Sequence, residues 1–129
     1  MERGKIRKFS DLNAWKEGHQ LLLFVYECTR MFPKSENFGL TSQIQRASVS
    51  VTSNIAEGFG RRTPKDKIYF YTLSKTSLAE LQSQFFVAKD LQYISQEKFE
   101  DFSVRAEIVD RLIAGLVKSA HKVSSGPHT

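Results

Sequence analysis

A chain of 129 residues, 40% hydrophobic and 26% charged, is long enough to bury one core and too apolar to stay disordered by default. The formal charge of +5 is a mild pointer to a polyanionic partner, because basic surfaces attract phosphate backbones. The longest apolar run, Leu21 to Tyr26, is far too short to cross a bilayer, and Met1 to Lys8 lacks the apolar centre of a signal peptide. The single cysteine, Cys28, cannot form an internal disulfide, so the expectation is a reducing, cytoplasmic setting with no membrane contact.

Four segments carry helical periodicity and none carries a convincing two-residue period. The first starts near Leu12 and stops before Pro33. Its apolar positions Leu12, Trp15, His19, Leu22, Tyr26 and Thr29 step by three and four, and a second ridge, Leu21, Phe24, Cys28 and Met31, lies about 100° away. An arc that wide implies deep burial or a subunit contact. The second segment runs from about Leu40 to Gly58 with Leu40, Ile44, Ala47, Val51 and Ile55 on one face. It is rich in small and β-branched residues from Ser48 to Ser53, so packing rather than propensity must hold it. The third opens after Thr63 and reaches about Tyr93, with Tyr71, Ser74, Leu78, Leu81, Phe85 and Ala88 inward. The fourth begins after Ser95, a natural N-cap, and has the cleanest seam: Phe99, Phe102, Ala106, Val109, Ile113, Leu116 and Ala120.

Sequential helices with short links favour antiparallel neighbours. The predicted fold is therefore all-α, an antiparallel up-down-up-down four-helix bundle over residues 11–123, with a basic arm over 1–10 and a tail over 124–129.

The link from the second to the third helix is the most informative stretch. Ser53, Asn54, Glu57, Gly58 and Gly60 form a helix end in which either glycine can supply a left-handed cap. Arg61 and Arg62 follow, then Thr63 as N-cap and Pro64 at the first helical position. The topology brings this turn, the N-terminal arm and the chain's C-terminal part to one end. There Arg3, Lys5, Arg7, Lys8, Arg61, Arg62, Lys65, Lys67, Lys118 and Lys122 outnumber Glu2, Asp11, Glu57 and Asp66, by more than the charge of the whole chain. The reading with a function is a phosphate-binding end for RNA or DNA, centred on the eight cations of the arm and the turn. The plainer reading is that arginines and lysines cap helix carbonyls.

Catalytic and metal chemistry find little support. The glycine turn lacks the Gly-Lys-Ser/Thr of a P-loop and the third glycine of a dinucleotide fingerprint. No His-Glu, Glu-x-x-His or Cys-x-x-Cys spacing suggests ligands, so no metal and no cofactor is expected. His19 on an apolar seam reads as a paired core histidine, and Cys28 among apolar neighbours reads as inert. The expectation is a non-enzymatic protein. Arg46, Ser50, Ser53 and Glu57 line one side of the second helix beside Asn54, most simply as a network that fixes helix register.

Phe32-Pro33, Glu36, Phe38-Gly39-Leu40, Gln43, Arg46-Ala47, Val49-Ser50, Ser53 to Gly58 and Gly60-Arg61 together resemble the signature of the bacterial four helix bundle family encoded in intervening sequences of 23S ribosomal RNA genes. Leu12, Trp15, Ser77-Leu78, Glu80-Leu81, Ala88, Leu91 and Tyr93-Ile94 extend the likeness over roughly residues 9–118. The resemblance implies an antiparallel bundle that assembles as a homopentamer. A related branch, the accessory protein of diversity-generating retroelements, implies a basic pentamer working with a reverse transcriptase and nucleic acid. The ribosomal label that the family often carries reflects gene location. Gln45 stands where the family often has a second arginine, and Glu17-Gly18 replaces a usual Lys-Ala pair. The missing arginine weighs against a nucleic-acid face centred on the second helix and leaves the basic end intact. The competing reading is a protein-interaction scaffold with no nucleic-acid ligand.

Overall fold

The computed structural model describes residues 5–124, which form four α-helices: α1 (Asn13–Thr29), α2 (Leu40–Phe59), α3 (Pro64–Asp90) and α4 (Gln96–Ser124). Short 3-10 turns precede α1 at Phe9–Asp11 and α2 at Lys34–Glu36. Among the described residues there is no strand.

Local chemistry sets the boundaries. Thr63 Oγ1 accepts the Asp66 N–H at 3.1 Å and Pro64 occupies the first turn of α3, where its missing N–H costs nothing. Ser95 Oγ does the same for α4 by accepting the Lys98 N–H at 3.1 Å. The start of α2 is capped from a distance: Glu36 accepts the Leu40 N–H through one carboxylate oxygen and the Tyr93 hydroxyl through the other, at 3.1 and 2.9 Å. That hydrogen bond also pushes the Tyr93 phenol above its usual pKa, and it ties the α1–α2 link to the α3–α4 link. The end of α3 is a full Schellman motif. Gln92 sits in the left-handed region at φ 64°, its N–H bonds the Lys89 carbonyl, and the Tyr93 N–H reaches back to Ala88.

Cross-helix contacts fix the packing. Ser50 meets Ser77 and Ser74 meets the Val51 carbonyl, while Gly58 lies against Tyr71. Positions therefore climb on α2 as they fall on α3. Lys75 pairs with Asp110 and Phe85 stacks on Phe102, so α3 and α4 also run in opposite directions. Gln45–Thr29 and Thr52–Gly18 order α1 against α2 in the same way. The core lies between all four helices, and the seams expected on α2, α3 and α4 are buried almost residue for residue.

The α1 register differs. Of the ridge expected to be secondary, Leu21, Phe24 and Cys28 are buried with Ala14, Gly18 and Val25 while Met31 is exposed; of the other ridge, Thr29 is buried, Leu12, Trp15, His19 and Leu22 are half-buried and Tyr26 is exposed. Gly18 explains the rotation. A Cβ there would stand 3.0 Å from Thr52 Cγ2, so α1 meets α2 along a face of small residues that a hydropathy pattern undervalues. Two hydroxyls on that face turn back to their own helix, Ser48 to the Gln45 carbonyl and Thr52 to the Val49 carbonyl, whereas the buried Thr41 hydroxyl has no partner among the described residues.

Candidate nucleic-acid interface

The turn between α2 and α3 is held by groups that sequence alone counts simply as charges. Lys67 donates to the Phe59 carbonyl at 2.8 Å and to the Gly58 carbonyl at 3.3 Å, satisfying the exposed end of α2. Burial lowers its pKa. Lys67 therefore acts as the helix cap, the plainer of the two roles open to the cations here. No left-handed glycine is involved: Gly60 is right-handed at φ −78°, and Gly58 lies inside the helix. Gly58 serves close approach instead, since a Cβ there would stand 2.6 Å from the Tyr71 ring.

Arg61 is also engaged. Its guanidinium pairs with Glu57 one turn back and stands 4.5 Å from the centre of the Phe70 ring. Arg62 and Lys65 are exposed, and among the described residues neither has a carboxylate in ion-pair range. Asn54 donates to the Ser50 carbonyl and hydroxyl, and Ser50 shares a 2.7 Å hydrogen bond with Ser77. This part of the polar row thus joins α2 to α3. Ser53 and Glu57 face outward.

Lys5, Arg7 and Lys8 are exposed, and Asp11 holds their segment in place. Its carboxylate accepts the Arg7 and Lys8 N–H groups at 2.9 and 3.1 Å, which depresses its pKa. A cleft of about 820 Å³ joins Lys5, Asp11 and Lys16 to Leu112 and Leu116 of α4. A second, of about 540 Å³, sets Phe9 beside Ser53, Glu57, Gly60 and Arg61. The N-terminal segment therefore sits against both the α2–α3 turn and the C-terminal part of α4, where Lys118 and Lys122 are exposed. Arg3 and the residues 125–129 lie outside the described residues.

Sequence reasoning passed over Phe9 and Phe70 and counted Asp11 only as a charge. Asp11 carries a readable signal, an acid placed to cap the turn that begins at Phe9. Phe9 and Phe70 acquire their roles only through tertiary contact. Cys28 is buried, and burial pushes its thiol up to about 11, far from a reactive thiolate. Among the described residues no group of three or more His, Cys, Asp and Glu is placed to hold a metal, and no helix is long and apolar enough to cross a membrane.

Residues 10–115 match the family model described as 23S rRNA-intervening sequence protein. The chain belongs to this family. It is similar in structure to a protein of unknown function from the S23 ribosomal protein family of Bacteroides thetaiotaomicron, with a TM-score of 0.74 and 17% identity over 81% of this chain and 95% of that one. At such identity the likeness concerns the fold alone. No curated protein matches the chain. Within the family span, Glu36, Ser50, Asn54 and Gly58 are all occupied in holding helices together, whereas Arg62 and Lys65 have no such duty.

Proposed function

We propose that this 23S rRNA-intervening sequence protein is a non-enzymatic, cytoplasmic, homo-oligomeric bundle that binds RNA or another nucleic acid through its basic end. The observation that carries the reading is that Arg62 and Lys65 of the α2–α3 turn, Arg7 and Lys8 next to Phe9, which borders that turn, and Lys5 of the same segment are all exposed and without ion-pair partners among the described residues. Free cations release counterions when they meet phosphates, while cations already paired add little. Arg61 contributes a shelf beside the cluster, and Lys67 supports its backbone. Contacts of this type are mainly to phosphate, so sequence preference is weak. Assembly multiplies the effect, because several basic ends on one particle bind a long polyanion with avidity.

The test replaces Arg62 and Lys65 together by glutamate and measures binding of a labelled structured RNA by fluorescence anisotropy. Loss of roughly tenfold or more in affinity is expected, given the four-unit change in charge at a phosphate-binding surface. Unchanged affinity overturns the assignment of this end. Gly58, Tyr71 and Lys67 are untouched by the double substitution, so the turn retains its fold.

A further inference from the structure

We infer that the cleft between Phe9 and the end of α2 takes an unpaired nucleobase, so that the basic end binds single-stranded nucleic acid in preference to duplex. The inference rests on the nucleic-acid reading above and narrows it to one form of ligand. An array of exposed cations suffices for duplex phosphates. This end of the bundle offers more than cations.

The cleft is shallow and open to solvent, and is lined by Phe9, Ser53, Ala56, Glu57, Gly60 and Arg61. Phe9 keeps 38% of its surface in solvent, yet its ring is not free to wander. It packs edge-on against Trp15 with centroids 5.4 Å apart, and Trp15 in turn stacks flat on His19 at 4.8 Å. A held and still exposed aromatic ring is what a base needs for stacking. The opposite wall is polar. Arg61 engages Oε2 of Glu57, and Oε1 has no hydrogen-bond partner among the described residues. An ionised carboxylate only accepts hydrogen bonds, so Glu57 repels phosphate but suits the amino edge of cytosine, adenine or guanine. Exposed cations for the flanking phosphates neighbour the lining residues along the chain, Arg7 and Lys8 just before Phe9 and Arg62 just after Arg61.

A base inside a duplex already has both faces stacked and its edge paired. It reaches such a cleft only by flipping out, which costs energy that a single strand does not spend. The combination of aromatic ring, acceptor wall and neighbouring cations therefore selects unpaired nucleotides.

The experiment titrates the full chain with a short labelled RNA strand and, separately, with the duplex made from it, at one salt concentration. Trp15, the only tryptophan, provides a second readout because it touches Phe9. Expected are binding of the strand about tenfold tighter than the duplex, a change in Trp15 fluorescence with the strand alone, and loss of that tenfold advantage in Phe9→Leu with duplex binding unchanged. Leucine keeps an apolar contact on Trp15 but offers no ring face. Glu57→Gln gives an independent arm: the wild type should favour cytidine strands over uridine strands, and the variant should lose that preference.

Equal affinity for strand and duplex, or a Phe9→Leu effect that is absent or equal on both, overturns the single-strand inference. If Arg62→Glu/Lys65→Glu still abolishes binding in that case, the broader nucleic-acid reading stands. No binding of either form overturns both.

Discussion

Gly58 and Gly60 stand two positions apart in the same helix end and read alike as a sequence, as two candidates for a left-handed cap. Tyr71 separates them. A methyl at Gly58 would overlap its ring at 2.6 to 2.8 Å, whereas a methyl at Gly60 meets nothing closer than 3.7 Å. Gly58→Ala is thus expected to lower the unfolding free energy by about 1–3 kcal/mol through overpacking. Gly60→Ala should shift it by no more than about 0.5 kcal/mol, because the backbone there is already right-handed. Urea denaturation of the two variants checks the pair, and equal effects would remove the close-approach account. Lys67 teaches the same lesson from the polar side. Nothing in its place in the sequence distinguishes it from Lys65, yet one ammonium is drawn onto two carbonyls and the other stays in water.

At the scale of elements, the inward faces of α2, α3 and α4 were legible because each has a single apolar seam, and periodicity then leaves little choice. α1 has two. Its orientation depends on Gly18 meeting Thr52, a contact between small residues that adds no hydropathy signal to the pattern. The ends of elements follow the same division. Thr63 and Ser95 were readable as N-caps, since their side chains act within one turn. The cap that Glu36 gives α2 was hidden because the carboxylate that accepts the Leu40 N–H is held in place by Tyr93, far along the chain. The α3 terminus was hidden for another reason: it uses Gln92 where a glycine would advertise it. A non-glycine residue at φ 64° bears a steric cost. Gln92→Gly is accordingly predicted to raise stability by about 0.5–1 kcal/mol, read as a higher urea midpoint with an unchanged slope. A lower midpoint would contradict the Schellman assignment.

For the whole molecule, the sequence located the basic end through topology but not which cations remain free within it. The ion pair of Arg61 with Glu57 is a local four-residue spacing that a count of charges ignores, and the cap formed by Lys67 depends on how the turn folds; both move the functional weight onto Arg62, Lys65 and the segment that Asp11 anchors. At the opposite end, around the Glu36–Tyr93 link, Met31 is 81% exposed and Phe38 fully so. Large apolar side chains left in water support the proposed self-association. Multi-angle light scattering should give a mass several times the 14.8 kDa of one chain at micromolar concentration, and a clean monomer would contradict it.

The central claim is that several free cations at one end meet a polyanion, and the most direct test is the salt dependence of RNA binding by the wild-type protein. Each phosphate neutralised contributes a slope of roughly −0.7 to −0.9 in log affinity against log salt, so a surface built on Arg62, Lys65 and the arm predicts a total slope of about −3 or steeper. Binding with a slope near zero, or no binding at low salt, would contradict it.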